Sequence, residues 1–191
     1  MKRLLLIALS FGITSAVTSA AEAQSAAVMP ARPLDARRAK VRDELVVVRD
    51  SLNGISAAAA RLQRDSRAVS PITLSARARV LAGACERAGR LLPNARATVT
   101  ELPSETRGQT AQRGDLLREF DLVQAAVTRC STEFTAMSAP GNGEEVRGYA
   151  NRRAEPLLQA LSRYEGTLTA FFAAYDIEVR PIGSGKNPLA G

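Results

Sequence analysis

Cys85 and Cys130 are the only cysteines in a chain of 191 residues that has no histidine at all. These two facts bound the available chemistry. Without imidazole there is no Ser-His-Asp or Cys-His nucleophilic catalysis. Nor is there a His-ligated haem, an ordinary histidine zinc site or the Glu-x-x-His pair of di-iron bundles. The thiols are far apart in sequence, so no Cys-x-x-Cys redox or haem-attachment motif exists. Gly141-Asn142-Gly143 lacks the spacing of a phosphate-cradling loop and follows no strand signal. The expectation is a chain with no catalytic, cofactor-binding or metal-binding residues, whose two thiols are consumed by each other.

Carboxylates are the remaining acid–base groups. They concentrate at Asp115, Glu119 and Asp121, and at Glu144-Glu145. Asp115 and Glu119 lie one helical turn apart and could share a cation weakly. The plainer reading is helix N-terminal charge and a solvated face. No carboxylate pairing of the glycosidase kind follows from their spacing.

The chain is basic, with a formal net charge of +7. Residues 35–68 and 70–102 each come to +3, whereas 115–138 and 144–179 each come to −2. Arg77, Arg79, Arg87, Arg90 and Arg96 of the second segment are therefore candidates for an anion-facing surface. The plainer alternative is a solvated surface that attracts nothing specific. No aromatics interleave with these arginines, and nucleic acid is not an expected partner. Aromatics gather instead toward the C-terminus, at Tyr149, Tyr164, Phe171, Phe172 and Tyr175. Such a stripe could line a small-molecule pocket, but core packing is its commoner use.

The elements that position these groups follow from hydrophobic periodicity. Lys2-Arg3, an apolar run from Leu4 to Val17 and Ala21-Glu22-Ala23 together read as a secretory signal peptide over 1–23. The run is too short for a membrane span, which needs about 20 apolar residues. Residues 24–34, with Pro30 and Pro33, read as a flexible tail. A helix then starts near Asp35 with Val41, Leu45, Val48, Leu52, Ile55, Ala59 and Leu62 at alternating steps of four and three. That seam keeps phase across Asn53-Gly54, so one helix is expected there. Ser70 caps a second helix, with Pro71 in its first turn and a seam from Leu74 through Cys85 to Leu102. Pro93 should kink or break it. Residues 103–114, polar and holding Pro103, Gly108 and Gly114, read as mostly loop. A third seam runs from Leu116 through Cys130 to Met137. A fourth, after Glu144-Glu145, runs from Ala150 to Tyr175, with Pro156 a second kink or restart. Residues 180–191 read as a disordered tail.

The fold expected is all-α, an antiparallel four-helix bundle over 35–179 with one inter-helix disulfide. Cys85 and Cys130 both occupy seam positions, and export favours oxidation. Small residues around Cys85 (Ala82, Gly83, Ala84, Ala88, Gly89) permit the close approach that a disulfide demands. Bridging them sets an antiparallel register in which Leu92 faces Val123, Leu81 faces Phe134 and Leu102 faces Arg113, leaving 103–112 as the connection.

Functionally, the sequence assigns no activity. The leading expectation is an exported, non-enzymatic protein of the cell envelope, periplasmic or extracellular. It would serve as an interaction or ligand-binding module, with an anionic envelope component or another protein as partner and no stable membrane insertion once the signal is cleaved. An envelope-stress or chaperone-like role is the alternative, and it would require an exposed apolar face that the seams do not leave spare. A carboxylate-only enzyme ranks third.

Overall fold

The structure, a computed structural model, describes residues 35–179. The expected signal peptide and both terminal tails lie outside the described residues. Four α-helices make up the described chain: α1 (Ala36–Asp65), α2 (Pro71–Glu101), α3 (Arg107–Met137) and α4 (Gly143–Ala174).

Each helix starts for a local reason. The Asp35 carboxylate accepts from the Arg38 N–H at 2.9 Å, and the Ser70 hydroxyl accepts from the Thr73 N–H at 3.3 Å with Pro71 following. Each satisfies one of the free donors of a first turn. Helix α4 has no side-chain cap, but Glu144 and Glu145 sit in its first turn against the positive end of the helix dipole.

Every residue of the four expected seams is buried, from Val41 to Leu62 on α1 through to Tyr175 beyond α4. The helices alternate in direction. Asp65 pairs with Arg77 and the Glu44 carboxylate accepts from Thr98, which runs α1 against α2. Cys85 is bonded to Cys130 with a Cα separation of 6.1 Å, and Arg96 pairs with Asp121 at 2.9 Å, which runs α2 against α3. Edge-on stacking of Phe120 on Tyr164 and of Phe134 on Tyr149 runs α3 against α4. The all-helical fold and the disulfide thus stand as the sequence predicts.

Of the kink or break expected at each proline, the structure excludes the break, and one further expectation is corrected. Helix α2 passes through Pro93 and α4 through Pro156 without a break. Both prolines are exposed, so their rings displace no core side chain. Residues 103–114, expected to be mostly loop with 103–112 as the connection, are mostly helix: α3 already begins at Arg107. The Thr106 hydroxyl caps it by accepting from the Gln109 N–H at 3.1 Å. Gln109 is buried one heptad before Leu116. Its side-chain carbonyl accepts from the Glu105 N–H at 2.7 Å and its amide donates to the Ala174 carbonyl at 3.2 Å. A polar residue continues the seam, so apolar periodicity stops short of the helix start. Arg113 still meets Leu102, by its guanidinium on the Leu102 carbonyl.

Candidate functional site

The five arginines singled out on α2 do not form one surface. At about 100° per residue, Arg79, Arg87 and Arg90 fall within a sector of about 80° opposite the seam, while Arg77 and Arg96 flank the seam on its two sides. The flanking pair is neutralised by neighbouring helices, Arg77 by Asp65 of α1 and Arg96 by Asp121 of α3. Arg90 pairs with Glu86 one turn earlier. Arg79 donates to the Ser138 carbonyl at 3.2 Å, and the Arg87 guanidinium lies over Gly83. Of the five, Arg79 and Arg87 have no carboxylate partner among the described residues.

Of the carboxylates singled out, Asp115 pairs with Arg118, Asp121 with Arg96 and Glu144 with Arg147 at 2.6 Å. The buried Glu119 Oε2 lies 4.0 Å from Arg163 and makes no hydrogen bond. Among the described residues, no three His, Cys, Asp or Glu side chains gather at metal-binding distance. The aromatic stripe of α4 is core: Tyr164, Phe171 and Tyr175 are fully buried, and Phe172 nearly so. Tyr175 closes one end of the bundle, its hydroxyl 2.7 Å from that of Ser104 and donating to the Gln109 carbonyl at 3.3 Å.

Two open grooves of about 320 Å³ each score the sides of the bundle. One lies between α1 and α2 over Val47, Val48, Leu91 and Ala95, rimmed by Asp43 and Glu44. The other lies between α3 and α4, with Gln112, Asp115, Glu119 and Thr167 in its walls. Both are shallow troughs between adjacent helices, unlike the deep cleft that engulfs a small ligand.

The opposite end of the bundle from Tyr175 carries a group of three arginines without carboxylate partners among the described residues; Arg37 and Arg107, at the Tyr175 end, are likewise exposed and without such a partner. At the three-arginine end the α1–α2 and α3–α4 turns meet. Arg147 of α4 donates to the Ser66 and Val69 carbonyls at 2.6 and 3.0 Å, binding the two turns together. Gly143 opens α4 so close to the Pro71 carbonyl that a Cβ would clash with backbone, which is why glycine stands there. Gly141, at φ 104°, supplies the left-handed turn before it. Arg61 and Arg64, one turn apart at the end of α1, and Arg67 in the turn itself are all exposed, and no carboxylate pairs with them among the described residues. Asp65 and Glu144 at the same end are already held by Arg77 and Arg147. Glu145 is the exposed carboxylate that remains. Helix C-terminal placement lets α1 tolerate the like charges, because its dipole favours cations in the last turn.

Segment totals pointed to the basic half of the chain but not to these three residues. The signal available was the three-residue spacing of Arg61, Arg64 and Arg67. What hid it is that a sequence does not show which arginines lose their charge to acids on neighbouring helices. Compared with protein-family models, curated proteins and solved structures, the chain matches none.

Proposed function

We propose that this chain is an exported, non-enzymatic binding module of the cell envelope, and that it meets an anionic component there through the turn end of its basic half. The observation that carries the reading is the set Arg61, Arg64 and Arg67. They are exposed, grouped, and free of carboxylate partners among the described residues, at an end where the nearby acids Asp65 and Glu144 are already engaged. Charges left over in this way attract an anionic surface at a distance and hold it on contact. The rest of the molecule is consistent with a scaffold. Its seams are buried, the grooves described on its sides are shallow, and Asp65, Asp115, Asp121 and Glu144 pair with arginines. Export is supported by the Lys2-Arg3 to Ala23 pattern and by the Cys85–Cys130 bond, which an oxidising compartment maintains.

Two measurements test the reading. The N-terminal residue of the chain recovered from its cell envelope is expected to be Gln24; Met1 would overturn export. On immobilised dextran sulfate the protein is expected to be retained and to release as salt rises, with no retention on neutral dextran. Equal behaviour on both matrices would overturn the anionic partner.

A further inference from the structure

We infer that the turn end of the bundle docks on a bilayer surface that contains anionic phospholipid, with Ile72 entering the interface and Arg61, Arg64 and Arg67 on the headgroups. The inference rests on the anionic-partner reading above and deepens it by naming the partner's class.

The argument starts from Ile72. At 77% exposure it is the most exposed large hydrophobic residue of the described chain. It stands in the first turn of α2, on the side turned away from the seam, so no helix of the bundle covers it. Its surroundings share the character. Ala68 and Pro71 beside it are exposed, and so are Ala139 and Pro140 of the adjoining α3–α4 turn. The end surface thus carries exposed apolar residues among small polar ones such as Ser70, with Arg61 and Arg64 on the last turns of α1 and Arg67 in the turn that follows.

A single exposed apolar residue on a protein side needs no explanation. One at the apex of a bundle, backed by unpaired arginines, fits the two-part requirement of peripheral membrane binding. Apolar side chains enter the headgroup boundary while cations meet anionic lipid. A soluble polyanion would engage the arginines and leave Ile72 in water, so Ile72 is the feature that selects a bilayer. The arginine stems can lie along the interface with their guanidinium groups at the phosphates, which suits arginine's several donors. Docking would be peripheral: among the described residues, no helix is long and apolar enough to cross a membrane.

The test is co-sedimentation of the chain, as recovered from its cell envelope, with two kinds of vesicle. One set mixes phosphatidylglycerol with phosphatidylcholine; the other is phosphatidylcholine alone. Binding to dextran sulfate is measured in parallel. The expected result is partition onto the phosphatidylglycerol vesicles and little onto the neutral ones. Ile72→Ser should weaken vesicle binding roughly tenfold while leaving dextran sulfate binding unchanged. Arg67→Gln should weaken vesicle binding about fivefold. Leu122→Ser, at another exposed apolar position on α3, should change neither. Binding to vesicles that ignores Ile72→Ser, or binding to dextran sulfate without binding to vesicles, would overturn lipid docking and leave the anionic-partner reading standing. Binding to neither would overturn both.

Discussion

Tyr164 sits at the centre of the molecule with 1% of its surface exposed, its ring edge-on to Phe120 and its hydroxyl without a hydrogen-bond partner. A hydroxyl in that position gives up its bonds to water and gains none in return. Tyr164→Phe is therefore expected to leave stability unchanged or to raise it by up to about 1 kcal/mol, measured by urea unfolding at neutral pH. Burial also pushes the phenol's pKa well above its ordinary value, because the interior does not solvate a phenolate. The unfolded chain ionises this group near pH 10 while the folded chain holds the proton, so stability falls as pH rises past about 10. Tyr164→Phe should abolish that component, so the variant's stability advantage should widen above about pH 10. A constant difference across that range would contradict the assignment. The sequence showed that Tyr164 belongs to a seam; that its hydroxyl would go unpartnered depends on which side chains surround it, which periodicity does not specify.

At the scale of elements, the end of α4 is a compact stop built on an unusual residue. The Ile177 N–H reaches back to the Phe172 carbonyl at 2.9 Å and the Asp176 N–H to the Ala173 carbonyl at 3.3 Å, which is the Schellman arrangement. The residue at its left-handed position is Asp176, at φ 52°, where glycine is the usual choice. Buried Ile177 supplies the accompanying hydrophobic contact. Asp176 has both a side chain in a strained backbone region and a negative charge at the negative end of a helix dipole. Asp176→Gly is expected to raise the thermal or urea stability by about 1 kcal/mol, and a loss of stability would contradict this account of the stop. Helix starts were legible where the cap precedes an apolar seam, as at Asp35 and Ser70. At α3 the seam opens on Gln109 instead of an apolar residue. The Thr106-x-x-Gln109 spacing of a capping box was the signal that reads through it.

For the whole molecule, the four seams were sufficient to name the residues that form the core, and the cysteines to set the register of α2 against α3; the same seams would equally serve a core shared between two copies of a helical hairpin, and that choice is not written in their periodicity. The two thiols on separate seams fixed which stripes meet. Cys85 and Cys130, 0% and 3% exposed and 45 residues apart in sequence, staple α2 to α3 in the interior. Cys85→Ala with Cys130→Ala is expected to cost on the order of 4 kcal/mol in urea unfolding, the entropy of freeing a loop of that length, added to by the small voids left behind. The native bond should also resist reductant until the chain is unfolded. Rapid reduction of the folded protein would place the bond outside the core and contradict the structure.

The distribution of charge is the property least legible in the sequence, since Arg77 and Arg96 lose theirs to Asp65 and Asp121 on other helices while Arg61, Arg64 and Arg67 keep theirs. The claim that function resides in those three is the one most directly open to measurement. Dextran sulfate affinity would be followed against salt for the wild type and for a chain carrying Arg61→Glu, Arg64→Glu and Arg67→Glu, with helix content monitored by circular dichroism. The account predicts an affinity that falls with salt in the wild type, and in the variant an intact fold with weak binding and a log–log salt slope smaller by about three. A variant that folds and binds with the wild-type affinity and slope would contradict it.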